Sequence, residues 1–255
     1  MITSHPGLTY CTSSNLPIPH GMFCRHGGVG SGPFNSLNLS YSVGDSEEAV
    51  KANRNILRQR LRIEHLCSAH QIHSDVVAVI RSKNNLKEIE GADALITSMK
   101  GIGLLIQQAD CQAVLLYDPQ QQAIGAIHCG WKGSVINIIA TTVAQMQKEF
   151  AVAPHDLRAV ISPSLGPCCA EFQNYRQELP TWMHAYQVRR NYFDFWAITR
   201  QQLRQAGIKN TNIETTEVCT KCNDRFFSYR RSTAKGEKYT GRNGSVISLP
   251  QTDHD

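Results

Sequence analysis

A chain of 255 residues with 41% hydrophobic side chains is long enough to bury a sizeable core and too apolar to stay unfolded. Its net charge of +5 is spread out apart from Arg189-Arg190 and Arg230-Arg231 and suits a small anionic partner at least as well as nucleic acid; with no DNA- or RNA-binding motif, nucleic acid is not expected as a partner. No apolar run approaches the ~20 residues of a membrane span. The N-terminus also lacks a basic-then-apolar leader, so a cytoplasmic setting is expected, in which the nine cysteines stay reduced.

Met22 to Asp45 is rich in Gly, Ser and Asn, and Arg25 sits among five glycines between positions 21 and 32. It reads as a flexible loop whose N–H groups can approach an anion, with Arg25 as a forked phosphate or carboxylate partner. A surface turn with one solvated arginine is the plainer alternative. The G-K-S/T of a P-loop is missing. Asp45 or Ser46 then caps a helix. Glu47 and Glu48 lie in its first turn, and Val50, Asn53, Ile56, Leu57 and Leu61 form a stripe through Arg62. His70 and His73 precede the β-branched run Val76–Ile80, a predicted strand. Gly91–Ser98 and Gly101–Asp110 read as further strands, the second leading straight to Cys111.

Ala113–Tyr117 and Ala123–His128 read as two short strands turned through Asp118 and Pro119. Paired as a hairpin, they bring Cys111, at the start of the first, beside His128, at the end of the second. A thiolate and an imidazole meeting there suit zinc or copper. A small buried cysteine with a structural histidine fits the same pattern, as does a thiol nucleophile with His128 as its base. Gly133–Phe150 puts Val135, Ile138, Ile139, Val143, Met146 and Phe150 on one face, an amphipathic helix whose start follows the His128 turn and would add positive potential there. Arg158–Phe172 reads as a strand and a Gly/Pro loop carrying Glu171, a candidate acid or base. Asn191–Gly207 reads as a second helix closed by Gly207, and Ser245–Leu249 as a terminal strand. Cys168 and Cys169 are adjacent and do not readily bridge to each other. Cys219 and Cys222 form a C-x-x-C without the second half of a zinc knuckle or a thioredoxin-like setting, and read as incidental. With no repeats or clear linkers, residues 1–255 are expected to form one α+β domain.

Three pieces converge: Q-x-H at Gln71–His73, A-D-C at Ala109–Cys111 and H-x-G-W-x-G at His128–Gly133. With R-x-G-G-V (Arg25–Val29), S-L-N-L (Ser36–Leu39), V-G-D (Val43–Asp45), G-A-D-A-L-I-T (Gly91–Thr97), L-G-P-C-C (Leu165–Cys169) with Glu171, F-F-S-Y-R-R (Phe226–Arg231) and T-G-R (Thr240–Arg242), the chain resembles the laccase-domain, or YfiH-like, family along nearly its whole length. The resemblance implies a layered α/β/β/α sandwich with mixed β-sheets. It also implies one metal ion per chain, usually zinc with copper as the alternative, held by His73, Cys111 and His128. Three protein ligands leave a position open, as at catalytic zinc sites.

The activity the resemblance implies is phosphorolysis of purine nucleosides (adenosine, inosine, methylthioadenosine), with adenosine deamination beside it. Purine nucleosides and phosphate are then the partners. Arg25 and Arg242 are expected to clamp phosphate, and Asp110 or Glu171 to move a proton. Asp110 can equally orient a ligand. A copper-dependent polyphenol oxidase is the runner-up, but a multicopper oxidase needs many more His, Cys and Met ligands than this chain groups together. A non-catalytic metal-binding protein is the third reading. Cys129 and Lys132 stand in the usual H-A-G-W-R-G, Ala170 replaces an aromatic after the cysteine pair, and Ser232–Tyr239 lengthens the last loop; these departures bear on substrate preference more than on the metal.

Overall fold

The computed structural model describes residues 2–5, 7–84, 86 and 88–251, the first four by their backbone. In chain order, β1 (Ile2–His5), β2 (Leu8–Cys11) and β3 (His20–Phe23) precede α1 (Glu47–Leu61). Then come β4 (His65–His70), β5 (Val77–Val79), β6 (Ile89–Glu90), β7 (Ala94–Thr97), β8 (Ile102–Gln108), β9 (Gln112–Asp118) and β10 (Ala123–Cys129). These are followed by α2 (Trp131–Ile136), α3 (Ile138–Phe150), β11 (Arg158–Ile161), α4 (Tyr175–Glu178), β12 (Gln187–Arg189) and β13 (Tyr192–Phe193). The chain closes with α5 (Phe195–Gln205), β14 (Ile213–Thr215), α6 (Tyr229–Ala234) and β15 (Asn243–Ser248).

Two mixed sheets result, a seven-stranded one ordered β1-β2-β3-β15-β8-β4-β6 and a six-stranded one ordered β14-β11-β9-β10-β7-β5. Side chains alternate between their faces along each strand. On β8, Leu104 and Ile106 point into the layer between the sheets, where they meet Leu115, Ile124 and Ala126 of the second sheet, while Leu105 points outward onto Leu57 and Leu61 of α1. On the far side, Val114, Leu116 and Ile127 pack on Ile139, Val143 and Met146 of α3 and Leu203 of α5. The layers are therefore α/β/β/α. β8, β9 and β10 are buried on both faces throughout, which is why their sequences read as near-continuous apolar runs and not as alternation. Among the described residues no helix is long and apolar enough to cross a membrane.

The β9–β10 hairpin forms as expected, with Ala123 opposite Asp118 and His128 opposite Ala113. Asp118 turns it by accepting from the N–H groups of Gln120 and Gln121. Three expectations need correction. The helix expected over Gly133–Phe150 is two helices: Asn137 is left-handed (φ 59°) and its side chain caps α3 by accepting from the Ala140 N–H. Val135 consequently leaves the shared stripe and packs with the Phe193–Ile198 cluster. The helix expected from Asn191 starts only at Phe195, capped by Asp194, because the chain first turns at Asn191 (φ 66°) between β12 and β13.

The Gly-rich segment expected to be flexible is tied down. Met22 and Phe23 belong to β3; the N–H groups of Ser36 and Leu37 both donate to the Arg25 carbonyl; and buried Asn53 of α1 accepts from Val29 and donates to the carbonyls of Ser36 and Asn38. The sequence reading did not name β1–β4, β6 or β12–β14 as strands, and of these β4 bears on the site: it ends at His70, so His73 follows a strand instead of only preceding one.

Candidate metal centre and the cavity above it

Two crossings between the sheets and one strand end build the site. After β4 the chain passes to β5 of the second sheet through Gln71–Val76, and after β8 it passes to β9 through Ala109–Cys111. Each crossing turns on a non-glycine residue in the left-handed region, His73 (φ 63°) and Asp110 (φ 84°). His and Asp tolerate that region better than most side chains. The third component is His128, near the end of β10. The side-chain donor atoms of His73, Cys111 and His128 all lie within 4.8 Å of one another. Cys111 Sγ is 3.9 Å from His73 Nε2, and the two imidazoles meet edge to face with centroids 4.8 Å apart.

The convergence is held by residues behind it. Gln71 locks onto the backbone of β8, donating to the Gln107 carbonyl (2.8 Å) and accepting from the Gln107 N–H (2.9 Å). Asp93, fully buried just before β7, accepts from His128 Nδ1 at 2.7 Å and from the backbone N–H groups of Ile72, His73 and Ser74. One carboxylate thus fixes the loop carrying the first histidine and the ring of the second. It leaves His128 Nε2 to face Cys111 and the other donor atoms, the usual arrangement behind a metal-bound imidazole. At Gly130 a Cβ would lie 3.0 Å from both Cys111 Sγ and His73 Cδ2, so any side chain there would press on the donors.

Electrostatics agree with this geometry. Burial works against ionisation of Asp93, but the bonds from His128 and Ser74 prevail and hold it well below the usual carboxylate range. Burial likewise opposes the charges of Cys111 and His128. The His128 charge and the hydrogen bonds from both histidines nevertheless draw the Cys111 thiol down to about 6, while Cys111 and Asp93 push His128 up to about 9. A soft thiolate and two imidazoles in one cluster can hold a borderline-soft metal ion.

The three donors line a cavity of about 480 Å³, within the range of small-molecule sites. One wall is aromatic: Trp131 and Phe172 stand edge to face at 6.0 Å, and Phe172 leans on Phe195 at 5.1 Å. Ala170, two residues before Phe172, also lines the cavity. The lining also carries polar side chains, among them His70, Gln107, Tyr229, Arg230 and Arg242.

The other expected site residues are distributed unevenly. Arg242 lines the cavity, with Nη1 donating to the Thr240 and Gly241 carbonyls. Arg25 does not: its Nε donates to the Asn35 carbonyl and its guanidinium lies 4.6 Å over the Phe227 ring. Asp110 borders the cavity, but its two oxygens accept from Thr220 Oγ1 (2.7 Å) and the Arg230 N–H (2.6 Å). The Glu171 side chain is not part of the lining; its carbonyl accepts from Arg230 Nη1. The sequence reading gave no role to Asp93, Gln71, Gly130 or Arg230, although the G-A-D-A-L-I-T, Q-x-H, H-x-G-W-x-G and F-F-S-Y-R-R motifs contain them; Asp93 had a further signal, an acid directly before the apolar run Ala94–Thr97.

A four-layered α+β sandwich with a His-Cys-His set under an aromatic-walled cavity defines a protein with the donors to hold a metal ion beside that cavity. The chain belongs to the multi-copper polyphenol oxidoreductase laccase family, whose sequence model matches residues 19–250. It is 32% identical to a purine nucleoside phosphorylase of Bacteroides thetaiotaomicron over 86% of this chain and 88% of that protein. To the purine nucleoside phosphorylase YlmD of Geobacillus stearothermophilus it is 32% identical over 83% and 84% of the two chains. The crystal structure of YlmD from that organism superposes with a TM-score of 0.87, at 27% identity, over 98% of this chain and 99% of the other. That of the Bacillus licheniformis hypothetical protein YfiH also superposes at 0.87, at 28% identity, over 97% and 98%.

Proposed function

We propose that this protein is a cytoplasmic, zinc-dependent purine nucleoside phosphorylase acting on adenosine, inosine and methylthioadenosine, with adenosine deamination as a second activity. The observation that carries the reading is the convergence of His73, Cys111 and His128 beneath a cavity lined by both aromatic rings and guanidinium groups. A purine is flat and apolar on its faces, and Trp131, Phe172 and Phe195 offer rings to stack or abut it. Phosphate is polyanionic and suits the forked guanidinium of Arg242, with Arg230 also in the lining. The names of the relatives, purine nucleoside phosphorylase in each case, point the same way.

Zinc, when bound by these three residues, supplies a Lewis acid with one coordination position left for substrate. The chain's own groups do the rest. Asp93 holds His128 and the His73 loop in place. Asp110 acts as a positioning residue: with both oxygens engaged, it fixes the Arg230 backbone at the cavity rim. Glu171 supports the Arg230 side chain through its carbonyl, and Arg25 braces the loop at Asn35. Among the described residues, the other cluster of three or more potential ligands is made of four cysteines, without the histidine groups a multicopper oxidase uses.

The test is incubation of purified protein with each nucleoside and phosphate, alongside a phenol with copper. Free base and a pentose 1-phosphate, lost in Cys111→Ala together with about one zinc per chain, are expected. Quinone formation without phosphorolysis overturns the reading in favour of the oxidase; neither product leaves a metal-binding protein.

A further inference from the structure

Away from the cavity, Cys168, Cys169, Cys219 and Cys222 bring their four sulfur atoms within 4.8 Å of one another. None of the four lines the cavity. The C-x-x-C read as incidental in the sequence therefore has a second half, contributed by the adjacent pair 51 positions earlier (219 − 168). The meeting follows from topology. β11 and β14 are parallel neighbours, so the loops leaving them start at the same edge of the sheet. The pairing continues beyond the strands: the Ser164 N–H donates to the Val218 carbonyl and the Thr220 N–H to that of Ser164. At Gly166 a Cβ would lie 2.8 Å from the Trp196 ring and 3.1 Å from the Cys219 Cβ, so the first loop closes onto the second only with glycine there.

We propose that these four cysteines form a second metal site, a closed tetrathiolate that takes zinc and staples the loop after β11 to the loop after β14. In a tetrahedral site with Zn–S near 2.3 Å, neighbouring sulfurs stand about 3.8 Å apart. Here Cys222 Sγ is 3.7 Å from Cys168 Sγ and 3.4 Å from Cys169 Sγ. All four are free thiols. The backbone N–H groups of Gly166 and Cys222 hydrogen-bond Cys219, as amides do for metal-bound thiolates. Binding replaces four S–H protons by one Zn²⁺ and leaves a net double negative charge. Arg231, which donates to the carbonyls of Thr220, Lys221 and Asn223, and Arg189, which donates to that of Cys168, provide positive charge along both loops. Four protein ligands leave no open position, so the role is structural. The stapled loops carry Leu165 and Ala170 on one side and lead to Tyr229 and Arg230 on the other, so the ion would fix the spacing of two cavity walls.

The test uses full-length Cys111→Ala protein, which lacks a ligand of the cavity site and so separates the two. Reconstituted with Zn²⁺ and desalted, it is expected to retain about one zinc per chain, and further Cys219→Ser and Cys222→Ser replacements to abolish that zinc. Because the serine variants expose the fold to unfolding, Co²⁺ substitution of the Cys111→Ala protein decides independently. The intense, red-shifted ligand-field bands of a tetrathiolate support the site. A Cys111→Ala protein without bound metal, with iron in place of zinc, or with Cys222 in a disulfide overturns it. None of these outcomes depends on whether the cavity cleaves nucleosides.

Discussion

The triad of His73, Cys111 and His128 and the quartet of Cys168, Cys169, Cys219 and Cys222 differ in donor type, anchoring and access. The triad mixes nitrogen and sulfur donors, hangs from strand ends and inter-sheet crossings, is backed by buried Asp93, and faces a cavity. The quartet is all sulfur, sits on two loops, and is backed by backbone amides and by arginines that donate to the loop carbonyls. The contrast teaches that a reactive centre needs rigidity supplied by the protein around it, because a coordination position is left free. A closed centre can draw its rigidity from the ion itself.

Several changes would break or sharpen that contrast. The largest effect is expected from Cys111→Ala, which should lower phosphorolysis more than 100-fold, beyond the usual cost of disturbing a residue behind a ligand, while the zinc on the quartet stays bound. Asp93→Asn should weaken metal at the triad by about 10- to 100-fold, read by competition with a chelator; unchanged affinity would mean that the Asp93–His128 bond does not orient a ligand. Gly130→Ala puts a methyl against Cys111 and His73 and should cost about 1–3 kcal/mol in thermal unfolding, together with triad metal, without touching the quartet.

Arg242→Lys keeps the charge and loses the fork. The KM for phosphate should rise roughly tenfold, the worth of a charged hydrogen bond, with nucleoside affinity little changed in steady-state kinetics. The smallest effect concerns Glu88 on the cavity rim. Burial raises its pKa, but bonds from Arg54, Ser68 and Gln107 outweigh that and hold it below its ordinary value of 4.5. Its contribution to stability is therefore full above pH 4.5 and is lost as pH falls through the lowered folded value. Glu88→Gln should cost under about 1 kcal/mol at neutral pH and flatten the acid limb of the unfolding curve.

The β9–β10 hairpin was legible because Asp118-Pro119 marks its turn and apolar runs flank it, and the hairpin alone brings Cys111 near His128. His73 was reached only through the family resemblance, since a histidine after a loop carries no mark of where that loop will cross. The break at Asn137 was hidden because the apolar spacing runs on through it, while the left-handed cap is a property of one polar side chain. Arg25 was misjudged for a related reason: glycines nearby suggested an open anion loop, but Asn53, fifteen places or more away from its partners in sequence, closes that loop from within. The cysteine quartet escaped because Cys168-Cys169 lacks knuckle spacing and because the parallel pairing of β11 with β14 is a long-range fact that neither loop announces.

His73 departs from the first sheet, while Cys111 directly precedes the hairpin of the second and His128 lies near its end. The apolar filling between the sheets, with Leu104 and Ile106 facing Leu115, Ile124 and Ala126, consequently acts as a ruler for the donor triangle. A bulkier residue at Ala126, touching neither metal nor substrate, would pry the sheets apart and detune the centre from within. Evolution could thus adjust this chemistry by changing the thickness of its hydrophobic filling.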